Sequence, residues 1–263
     1  MMKQPYEDIV LEVSGRVATI TINRPQVMNA MRAQTVDELI DVISAAGWDR
    51  AIGVIVLTGA GDRAFCTGGD QSAHSGQYSG RGTIGMQVEA LQSAIRDVPK
   101  PVIARVKGYA IGGGNVLATV CDLTIASESA VFGQVGPRVG SVDPGFGTAY
   151  LARIVGEKKA REIWYLCKRY PACEAQAMGL VNAVVPDDKL DAEVADWCAR
   201  ILEHSPSALA IAKRSFNADS ESIRGISWMG MQTVSYMYDT EESREGVRAF
   251  LEKRAPDFRR YAK

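Results

Sequence analysis

Apolar and polar positions alternate along IVLEVSGRVATITINRP, residues 9–25. A period of two, broken at Ser14-Gly15, predicts a β-hairpin that ends at Pro25. The spacing changes to helical in TVDELIDVISAAGWD, residues 35–49, with Thr35 in the place of an N-cap. GVIVLTG, residues 53–59, is a short continuous apolar run and predicts a buried strand. A polar, glycine-rich stretch over 59–85 follows, then helical spacing over 86–97, a strand at PVIARV and a further strand at CDLTIAS. Strand and helix alternate in this way to about residue 190, the pattern of a layered α/β domain. From DAEVADWCARILEHSPSALAIAKRSF onward the spacing is almost wholly helical, which predicts a small bundle packed on the core or on a neighbouring subunit.

Composition narrows the function classes. Of 263 residues, 46% are hydrophobic and 23% charged, enough to bury a sizeable core. A formal net charge of -1 gives no reason to expect nucleic acid or an anionic membrane as partner. Glu7, Asp8, Glu12 and Arg16 interrupt any apolar signal core near the start, and no segment has the roughly 18 apolar residues of a membrane span. Five cysteines without C-x-x-C spacing read as buried thiols of a reducing cytosol, so the expected location is cytoplasmic. Two distant histidines, His74 and His204, do not suggest a metal site.

Two glycine turns carry the candidate chemistry. VIVLTGAGDRA has the G-x-G-x-x-A spacing of a dinucleotide site, but FCTGGD follows it as a loop and not as a helix, so that reading fails. GYAIGGGNVLATV, by contrast, opens a helix with Gly112, Gly113 and Gly114, and CTGGD upstream resembles it. N–H groups at a helix start lack internal partners and lie at the positive end of the dipole. Two such turns can hold one oxyanion between two amides. For either turn alone, close packing of helix on strand is the better reading of the glycines; the two together, in this order, are much more specific.

AFCTGGD, GYAIGGGNVLATVCDLTIAS, VFGQVGPRVGSVDPGFG and EGVRAFLEKR resemble the crotonase (enoyl-CoA hydratase/isomerase) superfamily over essentially the whole chain. The resemblance implies an α/β spiral of repeated ββα turns over residues 1–195. It also implies a helical region over 196–263 that assembles trimers or dimers of trimers. It implies an acyl-CoA substrate, with coenzyme A entering as part of that substrate and no covalently bound cofactor. The thioester oxygen then lies on the Gly69 and Gly113 amides, with Thr67, Gly68, Asp70, Gln71, Tyr109, Ala110, Ile111 and Gly112 around the substrate and Lys253 toward the CoA phosphate. Asp122 reads as a brace for the glycine helix.

The departures from the pattern shape the expected reaction. Hydratases carry one glutamate two residues after the glycine triplet and another after F-G-Q, where this chain has Val116 and Gly136. Neither transfers a proton, which argues against hydration of an enoyl-CoA. FGQVGPRVGSVDPGFG and LARIVGEKKAREIWYLCKRY resemble the 1,4-dihydroxy-2-naphthoyl-CoA synthases. That likeness implies roles on the substrate for Ser141 and Asp143 and a tyrosine, Tyr238, arriving from a neighbouring subunit. It further implies a bicarbonate pocket at Gln134, Val135, Gly136 and Trp164, in a space left by the missing carboxylate. DQSAHSGQYSGRGTIG and GGGNVLATVCDLTI are more similar to the 2-ketocyclohexanecarboxyl-CoA hydrolases, which open a ring. In that stretch His74 is a candidate to activate water and Tyr78 a candidate to close over substrate, with a solvated loop as the plainer reading of both. A turn is the plainer reading of Asp143-Pro144-Gly145.

Overall fold

The computed structural model describes residues 6–74 and 78–262. The alternating segment forms the hairpin β1 (Ile9–Ser14) and β2 (Val17–Ile22), followed by α1 (Ala33–Trp48). The hairpin turns at Gly15-Arg16, one residue later than expected, because Gly15 takes φ +56° and Ser14 still pairs with Val17. Thr35 is not the N-cap. The cap lies three residues earlier, at Arg32, whose N–H donates to Thr35 Oγ1 at 3.1 Å while its guanidinium bonds Asp8. Thr35 thus stands at the third helical position, where its hydroxyl serves the Arg32 N–H, and Asp8 anchors the Arg32 side chain.

Three turns of chain then repeat one plan. The first contains β3 (Val54–Gly59), β4 (Ala64–Cys66) and α2 (Val88–Asp97). The second contains β5 (Val102–Val106), β6 (Tyr109–Ile111) and α3 (Gly113–Val120). The third contains β7 (Leu123–Ser127) and β8 (Val131–Gly133), and leads to α4 (Leu151–Val155) and α5 (Glu157–Leu166). The chain closes with β9 (Arg169–Pro171), α6 (Ala172–Ala177), β10 (Ala183–Val185), α7 (Leu190–Leu202), α8 (Pro206–Asp219), α9 (Glu221–Tyr238) and α10 (Glu241–Leu251). The first strand of each turn joins one sheet, ordered β1-β2-β3-β5-β7-β10, and the second joins another, ordered β4-β6-β8-β9. This is the expected ββα spiral. Because β4, β6 and β8 are parallel neighbours, the loops after them emerge at one edge. Residues 67–70, 112–114 and 134–136 are thereby gathered from three distant parts of the chain.

Side-chain alternation fills both faces of the first sheet. Ile55 and Leu57 of β3 pack with Leu39 and Ile43 of α1, while Val54 and Val56 pack with Leu190, Val194 and Cys198 of α7. Helix α7 is therefore part of the core, and the expected boundary at residue 195 falls inside it. Asp122 braces a different place from the one expected: it accepts from Val102 N at 2.8 Å and from the buried Lys213 Nζ at 2.7 Å, tying α8 to β5. Helix α9 packs on α2 and on residues 146–150, and α10 on residues 136–139. No helix among the described residues is long and apolar enough to cross a membrane.

Candidate active site

The two amides named from the sequence are presented by different local devices. Residues 68–70 run beside Met31 as a parallel bridge: Met31 N donates to Gly68 O at 2.7 Å and Asp70 N donates to Met31 O at 2.8 Å. Alternation along an extended strand then turns the Gly69 N–H to the opposite side. Gly113 is the first residue of α3, where an N–H has no helical acceptor. Among the described residues, neither N–H has an acceptor. The glycines around them answer mainly to packing. A Cβ on Gly68 would stand 2.8 Å from Gly113 N, a Cβ on Gly114 would collide with the Cys66 carbonyl, and Gly112 holds φ +58°. Close backbone approach of the two turns, more than space for a ligand, is what forbids side chains here.

Aromatic rings connect this amide pair to the serine and aspartate. The Tyr78 hydroxyl lies where a Gly69 side chain would begin. The Tyr78 ring stacks on His74 at 4.6 Å between centroids, and His74 meets Tyr238 at 4.6 Å. Tyr238 OH and Ser141 Oγ share a hydrogen bond of 2.7 Å. Within this chain α9 folds back over the site and brings Tyr238 to Ser141. His74 is buried rather than solvated, and its Nδ1 has no partner among the described residues. Burial lowers the His74 pKa and raises those of Tyr78 and Tyr238, so the three rings stay neutral near pH 7. A cavity of about 380 Å³ opens beside them, bordered by His74, Tyr238, Val247 and Leu251.

Asp143 is more than a turn residue. Its Oδ1 accepts from Gly147 N at 3.2 Å, and Gln92 Nε2 reaches both carboxylate oxygens, at 3.2 and 3.0 Å. Burial, with the negative charge of the buried Glu89 added, outweighs these hydrogen bonds and pushes the Asp143 pKa up to about 7. A carboxyl that titrates at neutral pH both takes and gives a proton under working conditions. Gln92 and Glu89 were not legible as site residues. Both sit in a helix whose spacing reads simply as amphipathic, and only the fold sets that helix against residues 143–147.

The remaining candidates divide. The pocket expected at Gly136 is filled: a Cβ there would stand 2.6 Å from Ser141 O and 2.8 Å from Trp164 Cζ3. Trp164 spends its single N–H on Gly147 O at 2.5 Å. Val135 packs toward Gly112, and Gln134 is buried with its Nε2 unpartnered among the described residues. One free donor beside a filled space does not make a bicarbonate site. Asp70 is engaged by the protein itself, with Arg24 Nη1 on Oδ2 at 3.0 Å and Ser72 N and Oγ on Oδ1 at 3.0 and 2.6 Å. These partners hold its pKa below the usual carboxylate range against the cost of burial. It shapes the turn. Gln71 Nε2 donates to Gly69 O at 3.2 Å, and Thr67 Oγ1 donates to Met28 O at 3.2 Å. Both therefore steady the loop. Ala110 and Ile111 are buried in β6, and Tyr109 lies under the Arg169 guanidinium. Lys253 is exposed, with φ +55°, just past the end of α10, and among the described residues no ion pair joins it to the site.

Known proteins share this fold. The enoyl-CoA hydratase/isomerase family profile matches residues 12–261. An enoyl-CoA hydratase from Mycobacterium avium subsp. paratuberculosis K-10 is 32% identical, over 97% of this chain and 99% of that one, with a TM-score of 0.87. A methylmalonyl-CoA decarboxylase in complex with 2-nitronate-propionyl-CoA is 26% identical, over 97% and 99%, with a TM-score of 0.83. A monofunctional enoyl-CoA isomerase from M. smegmatis is 30% identical, over 81% and 94%, with a TM-score of 0.71. The chain belongs to the enoyl-CoA hydratase/isomerase family, the crotonase superfamily.

Proposed function

We propose that the protein hydrolytically opens the ring of a cyclic β-keto acyl-CoA, with 2-ketocyclohexanecarboxyl-CoA giving pimeloyl-CoA as the reference reaction. The observation that carries this reading is the replacement of both hydratase glutamates by Val116 and Gly136, with the acid–base capacity moved to Asp143 at a pKa of about 7. The thioester oxygen accepts from the Gly69 and Gly113 N–H groups, so negative charge developing there is stabilised by donors already in place. Asp143, ionised, takes a proton from water as its oxygen bonds to the ring ketone carbon. Ser141, tied to Tyr238, supplies a donor for that ketone oxygen. The bond to the α-carbon then breaks, its electron pair passes into the thioester as an enolate, and the α-carbon takes the proton back from Asp143. The product is a new carboxylate on an opened chain. Tyr78 over Gly69 and the neutral His74 exclude bulk water from the enolate.

A second reading, ring closure of o-succinylbenzoyl-CoA by a synthase of the same family, uses the same enolate and shares Ser141, Asp143 and Tyr238. The filled space at Gly136 favours hydrolysis, since the closure implied by the likeness draws on a bicarbonate base there. Turnover of the two thioesters side by side tests the choice. Ring opening without ring closure supports the hydrolase. Ring closure alone overturns it, and an acyl-CoA that binds without turnover of either marks a binding protein.

A further inference from the structure

We propose that Gln92, turned by Ser227, is the positioning residue that sets the proton affinity of Asp143, so that α2 and α9 together tune the site's acid–base group. This rests on the reading of Asp143 given above. Gln92 is buried, 1% exposed, and its amide is committed at both ends. Nε2 donates toward both Asp143 oxygens, at 3.2 and 3.0 Å, while Oε1 accepts from Ser227 Oγ at 3.1 Å. An amide turned the other way would set its carbonyl oxygen against a carboxylate, and the Ser227 hydroxyl is what selects the donor face. Ser227 is itself fixed by backbone packing. A Cβ on Gly145 would stand 2.7 Å from Ser227 N, Cα and Cβ, and one on Gly230 would collide with the Pro144 ring. Helix α9 thus lies directly on the 143–147 turn through Ser227 and Gly230.

The titratable groups that bear on Asp143 among the described residues are Glu89 from α2 and Tyr238 from α9. Glu89 opposes ionisation of Asp143; Tyr238 is neutral near pH 7 and adds no charge. Gln92 and the Gly147 N–H are the groups that favour ionisation. Removing Gln92 leaves the Gly147 N–H alone against burial and Glu89. A hydrogen bond to a charged group is worth about 1.5–3 kcal/mol, or about one to two pH units at roughly 1.36 kcal/mol per unit.

The test titrates Asp143 directly and needs no substrate. Protein labelled with ¹³C at aspartate carboxyls is followed by NMR from pH 4 to 10, with Asp143→Asn identifying the resonance. Gln92→Met keeps the length of the side chain and removes the donor, and its midpoint is expected about one to two units above that of the wild type. Ser227→Ala leaves the amide free to turn and is expected to move the midpoint the same way by less. A folded Gln92→Met protein with an unmoved or lowered midpoint overturns the proposal. Should Gln92→Met fail to fold, an unmoved midpoint in Ser227→Ala overturns it. If the wild-type carboxyl titrates in the ordinary range near pH 4, the reading of Asp143 itself fails, a result distinct from either.

Discussion

Asp143 ionises against its surroundings, and that has a consequence for stability as well as for chemistry. Its folded pKa, about 7, lies above the ordinary carboxylate value of roughly 4. The folded state therefore binds its proton more tightly than the unfolded chain does. The stabilisation is fully present below pH 4 and is lost as pH rises through 7. Thermal melts from pH 5 to 8 should show the wild type losing stability that Asp143→Asn retains; parallel curves would contradict the shift. In the same variant kcat should collapse while affinity for CoA thioesters, measured calorimetrically, persists, because shape survives and the ionisable group does not. Gly136 supplies a second test at this scale. With Ser141 O and Trp164 Cζ3 within 3 Å of any Cβ, Gly136→Asp, Gly136→Glu and Gly136→Leu should all lose stability, by about 1–3 kcal/mol in chemical denaturation. A carboxylate variant that outperforms leucine would show that space exists there after all. Asp143, Ser141 and Tyr238 were legible from the resemblance. Gln92 was not, since nothing in EALQSAIRD distinguishes a site residue from a core one.

Elements explain which parts of the spiral could be read in advance. β1, β2, β3, β5 and α3 announce themselves by period or by a glycine start, because each is long enough to repeat a pattern or is opened by a distinctive turn. β4, β6 and β8 are three residues each, too short to show any period, yet their parallel pairing brings the three loops together. The glycine triplet was correctly placed at a helix start, but its cause is chiefly the approach of Gly68 to Gly113 and of Gly114 to Cys66. Because Gly113 is the first helical residue, proline is compatible with the helix there while deleting the N–H. A Cβ at Gly113 stands 3.2 Å from Gly68 Cα, so Gly113→Pro costs some stability; where far-ultraviolet circular dichroism shows the fold retained, it should lose about 10²–10³ in rate. Full turnover in a folded variant would remove Gly113 from the oxyanion site.

The whole molecule leaves an apolar surface on its C-terminal helices. Phe216 of α8 is 79% exposed and Met229 of α9 72%, with Ile211, Trp228 and Tyr236 also exposed. Faces of this kind are covered in assemblies, and we expect sedimentation to give a multiple of the 28.4 kDa chain. Phe216→Asp with Met229→Asp should lower that mass, and a wild-type monomer would contradict the expectation. Tyr238 reaches Ser141 within one chain. Hydrolytic ring opening is defined by where the water oxygen goes. It is tested most directly by mass spectrometry of the product formed from 2-ketocyclohexanecarboxyl-CoA in heavy-oxygen water. The expected product is pimeloyl-CoA with one heavy oxygen in the newly formed carboxylate and none in the thioester. An intact ring, or an opened chain released as the free acid with label at the former thioester carbon, would contradict it.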